Sequence, residues 1–384
     1  MAFSVPLQRE PVEVSDVLVA GGGLAGAACA ISLAKVGRQV VLVEREARPA
    51  HKICGEFLSS EAQASLLALG LDVRALGGHL VTHVRLVRGG RCVTARLPFE
   101  GLGLTRRALD EALLVRAAAV GTDVRRGQSI RRIGFDDGVF AEIDQGEILR
   151  PRALMLATGK HEARGSARAS RPGRMVGFKT YFRLATEQQR ALSGHVELIL
   201  FPGGYAGLQL VEGQAANFSL LVEGRLLRRL GGKWASLLEY MQHSSPHLAA
   251  RLAGSEDVLT APLTIARVPY GFRHRPSAGD PPALFRLGDQ AAVIQSFTGD
   301  GMAIALHSAA LAAHCCAAGE SAAAYHTRLR ADVSGQIRRA ALLHATLSAP
   351  LLGPAVFAAA AVFPAALAAA AALTRVPEHA RLTG

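Results

Sequence analysis

Three glycines stand in the spacing Gly21-x-Gly23-x-x-Gly26, with Leu24 and Ala25 between the last two, and Glu44 follows eighteen residues later. In that spacing each glycine has a separate job. Gly21 permits a tight turn after a strand, Gly23 lets backbone approach a pyrophosphate, and Gly26 lets the following helix pack closely on that strand. The helix N-terminus then offers free N–H groups and a partial positive charge to phosphates. A carboxylate at the end of the next strand, here Glu44 with Arg45 beside it, can accept two ribose hydroxyls and disfavours a 2′-phosphate. The chemistry predicted is FAD or NAD binding rather than NADP binding. A glycine turn with no ligand is the plainer alternative.

Further along the chain, other residues add to this picture. Arg106-x-x-Leu109-Asp110 opens a helical stretch after Gly101–Thr105. Gly288-Asp289 ends an apolar run, and about ten residues later Gly299-Asp300-Gly301-Met302 opens a helix. Asp289 could accept a hydrogen bond from a ribityl hydroxyl. The N–H groups at 300 to 302 could face an anionic edge of a flavin. Lys52-Ile-Cys54-Gly55-Glu56 follows the second strand, and Gly55 would allow close backbone approach. Cys54 is equally readable as a small buried residue.

Together these motifs resemble the para-hydroxybenzoate hydroxylase and geranylgeranyl reductase superfamily of FAD-dependent oxidoreductases. The resemblance runs from residue 16 to 310. It implies that Arg106 lies near the FAD, with Arg107 as the adjacent candidate. It also implies that the Cys54-Gly55 segment lies beside the flavin ring, with Cys54 facing flavin or substrate. Pro202-Gly203-Gly204-Tyr205 matches a stretch on the substrate sheet of geranylgeranyl-type reductases, which makes Tyr205 a second catalytic candidate. Gly207, Gln209 and Leu210 replace the Trp, Phe and Pro of that stretch, a change that reshapes the pocket. Ala157-Thr158-Gly159-Lys160 lacks the Asp-Gly motif that hydroxylases of this group carry after the corresponding strand. The route by which a flavin is reduced is therefore open between NAD(P)H, docking on the basic stretch 160 to 183, and a separate reductase partner.

The elements that must hold these residues follow from hydrophobic patterning. Strand, glycine turn, helix Leu24–Val36, strand and acid make a βαβ unit within about thirty residues. Helices are expected over 59–70, 106–120, 225–253 and 301–318, with Gly70 and Gly121 as C-terminal stops. Two strands with a Gly89-Gly90 turn are expected over 80–97, an antiparallel sheet over 175–223, and buried strands at 153–157 and 284–287. The fold class predicted is α/β (α+β). It comprises a Rossmann-like FAD-binding domain, an inserted antiparallel-sheet substrate domain and C-terminal helices. The domain pieces are 12–75, 100–165 and 280–320 for the cofactor, 76–99 and 175–279 for substrate, and 321–384 for the helical region.

Composition narrows the alternatives. Of 384 residues, 50% are apolar and 19% charged, which excludes a disordered chain. The five cysteines form no CxxC pair, so neither a zinc site nor a disulfide framework is expected, and no metal. A reducing cytoplasmic setting fits them, and Met1 to Glu10 has no signal-peptide pattern. The net charge of +12 raises anionic partners. No basic stripe interleaved with aromatics marks a specific nucleic-acid surface. Nine Lys/Arg and one acid lie between Arg150 and Arg183, and read as a solvated basic loop or a docking site. Ala349 to Leu373 carries no charge. Its alanines and prolines favour helices packed over the substrate domain, with peripheral membrane contact as the alternative.

The function expected is that of an FAD-dependent monooxygenase of secondary metabolism acting on an apolar aromatic or polyketide-like molecule. The alternative is a geranylgeranyl-reductase-like reductase of C=C bonds. A halogenase or a non-enzymatic basic binder is less favoured, because no Trp-x-Trp-x-Ile-Pro motif is present and a bare binder leaves the glycine motifs unexplained.

Overall fold

The computed structural model describes residues 15–349 and 351–377. The expectations placed on Met1 to Glu10, on the first residues of the cofactor domain (12–14) and on 378–384 lie outside the described residues.

A five-stranded parallel sheet runs in the order Leu284–Arg286, Ala153–Leu156, Val17–Ala20, Val40–Glu44, Asp123–Arg126. Every residue of Val17–Ala20 and Val40–Glu44 is buried, as expected for strands covered on both faces. Helix Leu24–Lys35 covers one face and packs against Gly301–Ala317 and Arg106–Ala119. Its alanines, Cys29 and Gly26 allow close approach to these neighbours. The other face is covered by a small sheet of Ile130–Gly134, Phe140–Ile143 and Ile148–Leu149, whose Ile133 and Ala141 join Leu18 and Val41 in one core.

A second, nine-stranded sheet contains the hairpin His79–Arg88 and Arg91–Gly103, and the strands Met175–Arg183, Gly194–Phe201, Gly204–Leu210 and Ala216–Glu223. It is antiparallel as expected except at one seam. There Gly194–Phe201 pairs in parallel with His79–Arg88, and so joins two segments far apart in sequence. The strand Arg91–Gly103 continues past residue 100 and pairs with Phe57–Leu58. Helices Gly224–Arg229, Trp234–Ser244 and Pro246–Leu252 back this sheet over a core of Phe178, Phe218, Leu237 and Met241.

The last helices divide their attachments. Ala322–Ser348 packs on Gly301–Ala317 and the strand Leu284–Arg286, with Tyr325 fully buried and its hydroxyl donating to Arg286 O at 2.8 Å. Leu352–Val362 and Ala365–Leu373 lie over the hairpin strand Arg91–Gly103. The alanine-rich stretch therefore folds back on the second sheet.

Candidate active site

A single cavity of about 1020 Å³ runs between the two sheets. At one end it is lined by Gly21, Gly23, Leu24, Ala25, Glu44 and Arg45. Gly21 has φ +106, and a Cβ there would stand 2.7 Å from Ala157 O. At Gly26 a Cβ would stand 1.9 Å from Gly21 O, so only hydrogen lets the helix start under its own loop. Helix Leu24–Lys35 has no side-chain N-cap, in contrast to Ser60–Ala68 and Arg106–Ala119, which Ser59 and Thr105 cap. Its first N–H groups are left for something in the cavity.

Two cations border this loop. A Cβ on Gly23 would lie 3.2 Å from an Arg106 guanidinium nitrogen and 4.0 Å from Lys52 Nζ. Arg106 is held by a bidentate pair to Asp110 at 2.8 and 2.9 Å. Lys52 lies 3.5 Å from Asp110 and 3.8 Å from Glu44. Glu44 itself is buried, and its carboxylate accepts the Gly22 N–H at 2.6 Å and the Glu46 N–H at 3.1 Å. It thus braces the glycine loop as well as lining the cavity. Arg45 is exposed and meets His161 at 3.3 Å across the mouth.

The second motif meets the first at this cavity. Gly288, Asp289, Gly299, Gly301 and Met302 all line it. Gly299 has φ +68, and a Cβ on Gly301 would meet nothing within 4 Å, so the backbone there opens on space. Helix Gly301–Ala317 also lacks a side-chain cap. Asp300 is instead buried and ion-paired to Arg375 at 3.1 Å. Asp289 carries a tie that sequence reasoning missed. Lys160, from the position where the Asp-Gly motif is absent, reaches its carboxylate at 2.9 Å. Burial works against the Lys160 charge, but Asp289 outweighs it and holds the ammonium above its ordinary pKa.

Most of the basic stretch is solvated, with Arg164, Arg171, Arg174 and Arg183 exposed, but two of its cations fold inward. Arg168 is buried, bonds Glu162 and donates to the carbonyls of Asp289 and Lys160. Lys179 is completely buried. A count of charges cannot show this. The in–out alternation of Met175–Arg183 is the one available signal, since it puts Lys179 and Tyr181 on the same face.

That face grips the segment 52–56. Lys179 Nζ donates to Lys52 O at 2.9 Å and pairs with Glu56 at 2.5 Å. Tyr181 donates to both Glu56 oxygens, at 2.8 and 2.9 Å, and meets His51 at 3.0 Å. Asn217 bonds Gly55 O at 2.6 Å, and Gln209 bonds Gly55 O and Glu56 O at 3.1 and 2.7 Å. Gln209, read from sequence only as a lost aromatic, is part of the clamp. Glu56 was expected to serve the cofactor. Its side chain is 0% exposed and held by the substrate sheet, and it also accepts the Arg106 N–H at 2.7 Å; the residue lines the cavity, and its N–H donates to Cys54 Sγ at 3.4 Å. Its φ of +58 is a left-handed conformation that the clamp holds in place. Cys54 is half-buried on the cavity wall.

Beyond Cys54 the cavity becomes an apolar chamber walled by Val84, Leu86, Phe99, Leu198, Leu221 and Phe297. Tyr205 stands in this wall, 7% exposed, with its ring edge-on to Phe297 at 5.8 Å and to His344 at 5.9 Å. Burial raises the Tyr205 phenol well above its ordinary pKa and lowers the His344 imidazole, so both are neutral near pH 7. Among the described residues no cluster of His, Cys, Asp and Glu could hold a metal.

Comparison with known proteins bears on this arrangement. The sequence profile of a family described as pyridine nucleotide-disulphide oxidoreductase matches residues 4–78, the stretch holding the glycine loop and Glu44. Squalene epoxidase 5 of Arabidopsis thaliana is 32% identical over 102 residues, 26% of this chain and 20% of that protein. Digeranylgeranylglycerophospholipid reductase 2 of Methanopyrus kandleri is 27% identical over 222 residues, 54% of this chain and 55% of that protein. The chain thus matches only about half, or less, of the length of these two relatives. Among solved structures, the flavin-dependent brominase Bmp2 superposes with a TM-score of 0.79 at 20% identity, over 94% of this chain and 93% of that one.

The chain thus shares its fold with this flavin-dependent enzyme, and its glycine-loop segment matches an oxidoreductase family. The residues present fit an FAD cofactor. The Gly21–Gly26 loop is a cradle that only glycine leaves open, Lys52 and Arg106 supply positive charge beside it, and two uncapped helix N-termini end at the same cavity.

Proposed function

We propose that the protein is a monooxygenase that uses FAD to hydroxylate an apolar aromatic or polyketide-like small molecule. The observation that carries this reading is the continuity of the cavity. One space joins the phosphate-binding loop, the Cys54-Gly55 segment and an apolar chamber. FAD supplies two-electron transfer and reaction with oxygen when bound. The chain's residues do the rest. The first turn of Leu24–Lys35, with Lys52 and Arg106, offsets the pyrophosphate charge. The clamp of Lys179, Tyr181, Gln209 and Asn217 fixes segment 52–56 at the junction of the two halves. The apolar walls orient the substrate and exclude bulk water, which keeps reactive species from side reactions.

A second reading, reduction of C=C bonds, is favoured by Cys54 on the wall at that junction and by the similarity to the digeranylgeranylglycerophospholipid reductase. NAD(P)H or a reductase partner would be the electron donor in either case. The deciding experiment begins with the visible spectrum of the purified protein, where bound flavin is expected. Stopped-flow reduction by NADH and by NADPH follows, with candidate substrates present, and then exposure to oxygen. Product that forms only with oxygen supports hydroxylation. Anaerobic turnover with substrate reduction selects the second reading, and a protein that neither contains nor binds FAD overturns both.

A further inference from the structure

The roof of the apolar chamber has a second face. Helices Leu352–Val362 and Ala365–Leu373 contribute Val356, Ala360, Leu367 and Ala370 to the cavity wall. Phe357, 3% exposed, anchors the roof in a cluster with Leu86, Val93, Leu200, Tyr205 and Leu221. The opposite side is uncovered. Leu351 is 87% exposed, Leu342 70%, Val362 and Phe363 69%, and Leu352 and Leu373 54%. No polar side chain interrupts the stretch from Ala349 to Leu373. Several large apolar side chains exposed on adjoining helices mark an interaction site.

Charge around the patch says what covers it. Between Asp332 and Glu378 the sequence has no carboxylate side chain, and its charged residues there are Arg338, Arg339 and Arg375. Arg375 is turned inward to Asp300, but Arg338 and Arg339 are exposed, and Arg339 Nε donates to Leu373 O at 2.6 Å. From the hairpin, the Arg91 guanidinium lies 5.7 Å from the Phe357 ring centroid, and Arg88 reaches to within 3.2 Å of where a Cβ on Gly353 would stand. The apolar face is thus edged by arginines. No single helix among the described residues is long and apolar enough to cross a membrane. Two short apolar helices with a cationic rim suit contact with a membrane surface instead.

We propose that this face docks on an anionic phospholipid bilayer, and that apolar substrate passes from the bilayer into the chamber past Phe363, which belongs to both the cavity wall and the exposed face. The docking stands on the surface alone. The passage of substrate rests on the apolar-substrate reading above.

The test uses the full chain and vesicles of phosphatidylcholine, with and without phosphatidylglycerol. Co-sedimentation is expected with the mixed vesicles, weakened by salt. The Leu351→Asp, Leu352→Asp, Val362→Asp triple variant is expected to bind at least ten-fold less while keeping its flavin spectrum and melting temperature. The protein has one tryptophan, Trp234. A Trp234→Phe, Phe363→Trp double variant should therefore show emission quenched by brominated phosphatidylcholine, which places position 363 among acyl chains. Equal binding by wild type and triple variant overturns the proposal. So does lipid-free sedimentation showing a wild-type dimer that the triple variant abolishes, since the face would then pair two copies of the chain. Vesicle binding is read without flavin, so a protein that docks but holds no FAD upholds the surface and sinks only the redox reading.

Discussion

Glu56 and Lys179 lie 2.5 Å apart with neither side chain exposed to solvent. Burial pushes the Glu56 carboxyl up and the Lys179 ammonium down, and their mutual attraction opposes both shifts. The pair ties the segment after the second parallel strand to the substrate sheet. Removing one partner strands the other in the interior. Lys179→Met is expected to cost ~3–5 kcal/mol of unfolding free energy, and Glu56→Gln with Lys179→Met to recover most of it. Denaturant titration of the two single variants and the double checks this. A single variant as stable as wild type would show that the pair does not hold the segment.

Gly26→Ala should destroy the cofactor site without touching the chamber. Its Cβ would stand 1.9 Å from Gly21 O, a backbone atom that cannot swing aside. Affinity for FAD is expected to fall at least ten-fold, read by the flavin retained through desalting. Ordinary retention would refute the close-packed loop.

Arg375→Ala removes the ion pair with Asp300 at the start of Gly301–Ala317. Arg375 also donates to Thr298 O, so the change loosens the turn at Gly299 from the tail side. Weaker FAD binding and a lower melting temperature are expected. Isothermal titration with FAD and thermal melts read the two effects separately.

Glu197 predicts the acid limb of stability. It is fully buried and receives Arg85 at 2.6 Å, Arg251 at 2.7 Å and His247 at 3.0 Å. Burial alone would raise its pKa, but the bonds to His247 and Arg251 outweigh it and bring the carboxyl from 4.5 down to about 2. A depressed carboxylate stabilises the fold above its unfolded pKa, and that contribution disappears as pH falls from about 4.5 through about 2. The displacement corresponds to ~3 kcal/mol. Glu197→Gln should lose a similar amount at pH 7 and flatten the pH dependence below 4.5, as denaturation midpoints across that range will show.

The sequence by itself determined the parallel-sheet half of the molecule. Gly21, Gly23, Gly26 and Glu44 act within one contiguous βαβ unit, where turn, helix start and strand end are fixed by local backbone demands. Gly299 and Gly301 were legible for the same reason. Tertiary structure decided what long-range pairing decides. The parallel seam of Gly194–Phe201 with His79–Arg88 has no local signature, because parallel neighbours are joined by distant chain. The same holds for Lys179 with Glu56, Lys160 with Asp289 and Arg375 with Asp300. Each lysine or arginine reads as solvated surface charge in sequence, because charge alone carries no information about which buried carboxylate will meet it. Folding brings these partners together, and so turns part of a +12 chain's basic stretch into the interior scaffold of the candidate site.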